Sequence, residues 1–572
     1  VEVLTLKHRI DVAAGRTPAD LKLTGGRIVS VFSGSIIKTD VAIADGVIVG
    51  FGDYRALRTI DLKGGYLSAG LIDSHIHIES SMLSPQEFAR VVVPRGTTAV
   101  IADPHEIANV MGSRGIRWMI NASDGLPLDI YFGLPSCVPA TSLETSGAKL
   151  NAKALKEFVD HPRVVAVGEV MDYPGVIAGR KDIIQKIRLK RGLRVDGHAP
   201  GLTGNDLNAY IAAGIHSDHE STKAAEAKEK LSKGMHVMIR EGTTEKNLKE
   251  LASIVTPANA HRCMFCSDDR SAHDLVTAGH IDNNLRLAVR AGIKPITALQ
   301  IASENTARYY RLARRTGAVA IGYRADLVVF DNLKNFRARM VFKDGRLVAK
   351  DGELIVPCKP KRKPHILNSM RVKPFGKDAL AVRATGSRMR VIEIVPRQIV
   401  TKERRIAPHM QDDLVVSDTK NDTLKLVVVE RHKRSGNIGV GFVKGFGLKR
   451  GAIASSVAHD SHNIIAVGTC DEDIEYAVKS LVDQNGGFAV VENKKVKAAL
   501  PLPIAGLMTD APASVVATQL ESLQNAARSL GCKIKEPFLQ LSFLALPVIP
   551  SLKLTDRGLV DVISFKRVSL FV

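Results

Sequence analysis

With 572 residues, 45% of them hydrophobic and 24% charged, the chain is too long for a minimal binding module and too apolar for wholesale disorder. Its net charge of +21 would suit nucleic acid or another anionic partner if it were clustered, but it is mostly dispersed. The dense basic runs, 359–363 (KPKRK) and 431–434 (RHKR), lack the interleaved aromatics that stack on single strands, so nucleic-acid binding is not expected.

In chain order, residues 21–62 read as short strands broken by glycine turns, with Asp45-Gly46 as a hairpin signal. The same texture returns at 317–353, where Asp344-Gly345 is a second such turn, so segments 1–66 and 316–358 are expected to form one composite β-sandwich. Between them, apolar β-rich runs alternate with helical stretches, the pattern of a parallel α/β fold. Strands are predicted to end near His75, Ala102, Leu134, Glu169, Asp196, Ser217, Arg240 and Ser267. That is the count a (β/α)8 TIM-like barrel needs, and the span 67–315 is close to the usual ~250 residues. The proline-rich, charged stretch 359–381 reads as a linker, and 382–572 as a C-terminal α+β domain with strands such as LKLVVVE and IIAVGTC and a helix over Asp471–Gln484.

No run of 18 apolar residues is present, and the first residues carry charges where a signal peptide needs an apolar core, so a cytoplasmic protein with no membrane partner is expected. Six cysteines in a chain this long are too sparse for a disulfide framework, and reduced thiols are expected. Cys263 and Cys266 form a C-x-x-C, but three apart on a strand they face opposite sides and read as core residues.

The chemistry concentrates at the strand ends, where barrel enzymes place it. Strand residues two apart face the same way, so His75 and His77 both point at the mouth. The fourth strand delivers Glu169, whose two oxygens suit a bridge between metals; the fifth and sixth deliver His198 and His219, and the eighth Asp268. Four imidazoles and two carboxylates suit zinc, manganese, iron or cobalt rather than calcium. His216 competes with His219, and Asp269 with Asp268, although neighbours on a strand point oppositely. In the last domain His459, Asp460 and His462 resemble a second metal motif, but no third and fourth ligand sits at chelating spacing.

These strand-end residues resemble the amidohydrolase superfamily. Longer strings resemble its adenine deaminase family: HIESSM at 77–82, DPHEIANVMG at 103–112, SCVPA at 136–140, MDYPGVI at 171–177, DGHAPGL at 196–202, AHDSHN at 458–463 and LPLPIAGLM at 500–508. The resemblance favours His219, through its HES string, and Asp268. It implies hydrolytic deamination of adenine to hypoxanthine and ammonia at two divalent metal ions, Mn(II) with Fe(II) or Zn(II) as alternatives. A metal pair supplies the potent nucleophile that C6 of adenine demands. Asp268 is then expected to carry the water proton to the leaving amine, and Asp103, His105 and Glu106 are candidates for protonating N1, Glu106 first. Arg240 and Glu241 are candidates for lining the base pocket, with a surface ion pair as the competing reading. His459 and His462 are expected to help enclose substrate, against a structural hydrogen-bond network. A homo-oligomer, a dimer, is expected. The alternative is another amidohydrolase acting on a cyclic amide or amino-heterocycle, such as a cyclic amidase or a sugar deacetylase; the cyclic amidases are disfavoured because they usually bridge their metals with a carboxylated lysine where this chain has Glu169. The H-x-E and P-C-x-x-C signature of small zinc deaminases is absent.

Overall fold

The computed structural model describes residues 2–313, 316–361, 364–396 and 398–572. Arg362 and Lys363 of the basic run, and residues 314–315 at the expected end of the α/β region, lie outside the described residues.

Both ends of the first two-thirds of the chain contribute to one seven-stranded sheet. Tyr66–Ala69 pairs in parallel with Arg27–Ser30 and in antiparallel with Leu327–Phe330. A four-stranded sheet built from 21–61 lies on it, and Leu23, Ile43, Leu67, Leu327 and Phe342 share one apolar core between the two. The turns read from sequence are present: Asp45-Gly46 and Asp344-Gly345 both take φ values of +48° to +72°, the left-handed pair that matches strand twist. They also abut, for a Cβ on Gly46 would stand 2.8 Å from the Asp344 carbonyl oxygen. A helix over Glu2–Ala13, for which the sequence reading had no signal, precedes this unit.

Eight parallel strands follow: β1 (Leu71–Ile76), β2 (Thr97–Ala102), β3 (Asp129–Leu134), β4 (Val164–Val170), β5 (Arg194–Gly197), β6 (Ser217–Asp218), β7 (His236–Arg240) and β8 (Cys263–Cys266). All end within two residues of the predicted positions. They form a five-stranded parallel sheet, β5-β4-β3-β2-β1, and a three-stranded one, β6-β7-β8. Hydrogen bonds cross both seams: Asp268 N–H donates to the His75 carbonyl at 3.0 Å, and His216 N–H to the Val195 carbonyl at 3.4 Å. The strands are buried along nearly their whole length, as their continuous apolar runs require. Helix α1 (His105–Met111) follows β2, and α2 (Ala224–Ser232) follows β6.

The C-terminal region is an eight-stranded mixed sheet that includes β9 (Thr423–Val429), β10 (Ala452–Ser455) and β11 (Ile464–Gly468), with α3 (Asp471–Asp483) and α4 (Pro537–Phe543) packed on it. The described part of the expected linker has one 3-10 turn, Lys377–Leu380, and is not a free spacer. Trp118 Nε1–H donates to the His365 carbonyl at 2.9 Å, and Ala505 N–H to the Leu367 carbonyl at 2.7 Å. Among the described residues no helix is long and apolar enough to cross a membrane.

Candidate metal centre

Six side chains predicted as ligands converge at the C-terminal ends of the parallel strands. Glu169, on β4, is the hub. Its Oε1 lies 3.2 Å from His77 Nε2 and 4.0 Å from His75 Nε2; its Oε2 lies 2.6 Å from His198 Nδ1 and 3.1 Å from His219 Nε2. Asp268 Oδ1 closes the ring, 3.1 Å from His77 Nε2 and 3.6 Å from His75 Nε2. One oxygen of Glu169 thus serves the first-strand pair and the other the His198–His219 pair, the arrangement a carboxylate bridging two ions adopts.

Hydrogen bonding fixes how these groups face one another. His77 Nδ1–H donates to the Asp103 carbonyl at 2.9 Å, so its Nε2 presents a lone pair to the centre. His75 Nε2 and His77 Nε2 face each other at 3.2 Å, and His75 stacks on His219 with ring centroids 4.1 Å apart. His219 Nε2 is buried and makes no hydrogen bond although Glu169 is close by. Imidazoles crowded on carboxylates, with an orphaned nitrogen aimed inward, fit a divalent cation pair, and the mixed N/O set suits Mn, Fe or Zn. Burial, together with the neighbouring His219 and His77, keeps His75 well below the usual imidazole range. Burial opposes ionisation of Glu169, yet His198, His105 and His219 hold it well below the usual carboxylate range.

Asp103 is tied to the backbone of Glu169. Its Oδ2 accepts the Glu169 N–H at 2.9 Å, an approach open only because residue 168 is glycine: a Cβ there would stand 2.0 Å from that oxygen. His105, at the start of α1, sits with Nδ1 3.2 Å from Glu169 Oε1. Glu106 turns the other way and meets the C-terminal domain, with His459 Nδ1 2.6 Å from Oε1 and His462 Nε2 in short contact with Oε2. His459 and His462 are therefore brought to the mouth, as expected, by the loop between β10 and β11.

Two expectations are corrected. Asp269 does not face away from Asp268. β8 ends at Cys266, and Asp268 takes φ +54°, so strand alternation no longer applies. Asp269 instead shares a cluster with His77 and Asp268 whose ligand atoms lie within 4.8 Å of one another, and it accepts the Ser80 hydroxyl. Nor is Glu241 at the mouth. Its Oε2 accepts from Leu248 N–H at 3.4 Å, near the start of the following helix, whereas Arg240 does reach the centre. His216 is exposed and its neighbour-but-two His219 is buried, which decides between them. Cys263 and Cys266 pack into different apolar clusters, and burial pushes the Cys263 thiol up to about 12, as befits core residues. Sequence reasoning missed Glu220, whose carboxylate grips Arg240 with Nη2 3.1 Å from Oε2. Its signal was adjacency to His219 in the HES string.

The Amidohydrolase family matches residues 66–348, and the Adenine deaminase C-terminal domain matches residues 398–566. The chain is 49% identical over 98% of its length to "Adenine deaminase 2" of Carboxydothermus hydrogenoformans, covering 99% of that protein. It belongs to the adenine deaminase family of amidohydrolases. It is also 50% identical to an adenine deaminase of Desulfatibacillum aliphaticivorans, over 98% of this chain and 99% of that protein. To one of Methanothrix thermoacetophila it is 47% identical over 100% of both chains. The two matches together span the strand-end cluster and the loop carrying His459 and His462 alike.

Proposed function

We propose that the chain hydrolyses adenine to hypoxanthine and ammonia at a binuclear metal centre held by His75, His77, Glu169, His198, His219 and Asp268. The observation that carries this reading is the split coordination of Glu169, one oxygen to each pair of imidazoles, in a chain 49% identical over almost its full length to a protein named adenine deaminase. The hydrogen bonds across both strand seams support closure of β1–β8 into a (β/α)8 barrel, and the shared core of the two flanking sheets supports a composite sandwich.

A bound metal pair would lower the pKa of a water so that hydroxide is available at neutral pH. The chain's own groups do the rest. Asp268 Oδ1 faces the ligand imidazoles, placed to take the nucleophile's proton and deliver it to the departing amine. Arg240 Nη1, 2.6 Å from Oδ2, fixes the carboxylate's rotation. The pair of Glu106 with His459 is placed to supply the proton that N1 needs as negative charge develops on the ring. Manganese is our choice of working metal, with iron or zinc as alternatives.

The test is a deamination screen of purines and pyrimidines on protein of defined metal content. Adenine should be converted with release of ammonia, and adenosine should be a poor substrate. Comparable kcat/KM for adenosine, or a pyrimidine as best substrate, would overturn the assignment; fuller activity with zinc than with manganese would overturn the choice of metal.

A further inference from the structure

We propose that His459, contributed by the C-terminal domain, is the acid that protonates the ring nitrogen beside the reacting carbon, oriented by Glu106, which His462 in turn holds in place. The proposal rests on the adenine-deaminase reading and assigns a step within it to a residue outside the α/β unit.

Hydrogen-bond direction argues first. Ala458 N–H donates to His462 Nδ1 at 3.2 Å, so Nδ1 is an acceptor and the neutral ring carries its proton on Nε2. That Nε2–H donates to Glu106 Oε2. A metal ion at this cluster would need the same nitrogen's lone pair, so the three groups form a hydrogen-bonded set and not a third metal site. His459 Nδ1, 2.6 Å from Oε1, engages the other oxygen. A carboxylate with a donor on each oxygen is held ionised and has no proton to give. The same engagement leaves Nε2 of His459 as the nitrogen that can exchange a proton with a ligand.

The ring is also fixed in plane. Phe543 of α4 stacks on His459 at 5.0 Å and 15°. The loop itself is tied down: Arg431, fully buried, donates to the His462 carbonyl, His432 Nε2–H to the Ser461 carbonyl at 2.7 Å, and Asn463 Nδ2–H to the Thr145 carbonyl at 2.8 Å. The charged groups around His459 come from every side. Glu106 faces it from α1, Asp269 from the segment after β8, and Asp460 and His462 from its own loop, while Phe543 of α4 covers one face of the ring. Glu79 and His105 flank Glu106. Burial opposes a charge on His459, but Glu106, then Asp269 and Asp460, push it up to about 9. The ring is therefore an imidazolium at neutral pH, poised as an acid.

The protons balance. Hydroxide forms a bond to C6 as His459 Nε2–H passes its proton to N1. The new hydroxyl proton travels through Asp268 to the exocyclic nitrogen, the C6–N6 bond breaks, and ammonia leaves hypoxanthine already protonated at N1. The next water splits into hydroxide and the proton that restores His459.

The experiment compares pH profiles of adenine turnover for wild type, His459→Gln and Glu106→Gln, with metal content measured alongside. Because the protonated form is the active one, wild-type activity should show an alkaline limb that falls as pH rises through about 9. His459→Gln should keep its metal and a KM within a few-fold of wild type, lose ~10² to 10⁴ in kcat, and lose the alkaline limb. Glu106→Gln leaves His459 in place without its anion, so the limb should move to lower pH while activity on its acid side stays within about tenfold of wild type. This variant reads the His459 titration even if His459→Gln does not fold. An unshifted limb in Glu106→Gln, activity abolished at every pH in that variant, or a kcat within threefold of wild type in His459→Gln, would overturn the assignment. Failure of the wild type to deaminate adenine would instead sink the underlying reading.

Discussion

Arg240 Nη1 stands 2.6 Å from Oδ2 of Asp268, while the other oxygen of that carboxylate lies 3.1 Å from His77 Nε2. Neither oxygen of this carboxylate is free: one faces the imidazole cluster and the other is clamped by a guanidinium. Burial opposes its ionisation, but Arg240, His77 and His219 hold it well below the usual carboxylate range. The clamp fixes which oxygen faces the imidazole cluster.

Asp268→Asn keeps the side-chain shape and an oxygen ligand but loses the base. Metal should stay bound and a purine inhibitor should still bind, while kcat falls by ~10² to 10⁴. Metal analysis, inhibitor titration and turnover on one preparation check it. Loss of metal together with activity would make Asp268 a ligand only.

Arg240→Lys should not rescue Arg240→Ala. Arg240 spans two carboxylates, Asp268 and Glu220, with a planar fork that an ammonium does not reproduce. Both variants should lower kcat by at least about tenfold while leaving metal content unchanged, as loss of one charge-assisted hydrogen bond implies. Near-wild-type turnover in the lysine variant would refute the orienting role.

Asp269→Asn would be silent if strand alternation held. Since φ of +54° at Asp268 brings both carboxylates to the same side, the variant should lose about ten- to a hundredfold in kcat/KM, the scale of one charged hydrogen bond. Steady-state kinetics decide, and an unaffected enzyme would return Asp269 to a purely structural role.

Lys230 of α2 is fully buried and donates to the Ala199 carbonyl and to Asp218 Oδ2, both at 2.8 Å, one residue from His198 and His219 respectively. Lys230→Met leaves Asp218 charged without its partner. The variant should lose ~3 to 5 kcal/mol of stability, read by denaturant titration of the metal-loaded protein. A loss below 1 kcal/mol would show that Asp218 is satisfied otherwise.

How much of this was legible follows the physics of each element. The eight strand ends were readable because buried parallel strands are continuous apolar runs, and the six polar side chains that converge there because, taken together, independent structural residues have no reason to fall in this order at successive strand ends. Asp269 was misread because a single left-handed residue breaks the two-residue period, and nothing in the side chain of Asp268 announces that conformation. Glu220 and Lys230 act through neighbours rather than on the centre, so no ligand spacing marks them. The contact of Glu106 with His462 joins positions 356 apart, and only the fold of two domains against each other creates it. The AHDSHN string showed that the loop matters, and its partner had to come from the structure.

The most direct test of the whole account is titration of metal-free protein with Mn(II), following hypoxanthine and ammonia from adenine. Because the two oxygens of Glu169 serve separate imidazole pairs, activity should rise to a plateau at two equivalents of metal per chain, with Glu169→Gln binding less metal and turning over almost no adenine. A plateau at one equivalent, or a Glu169→Gln enzyme with full metal and near-wild-type rate, would contradict the bridged centre on which every other assignment depends.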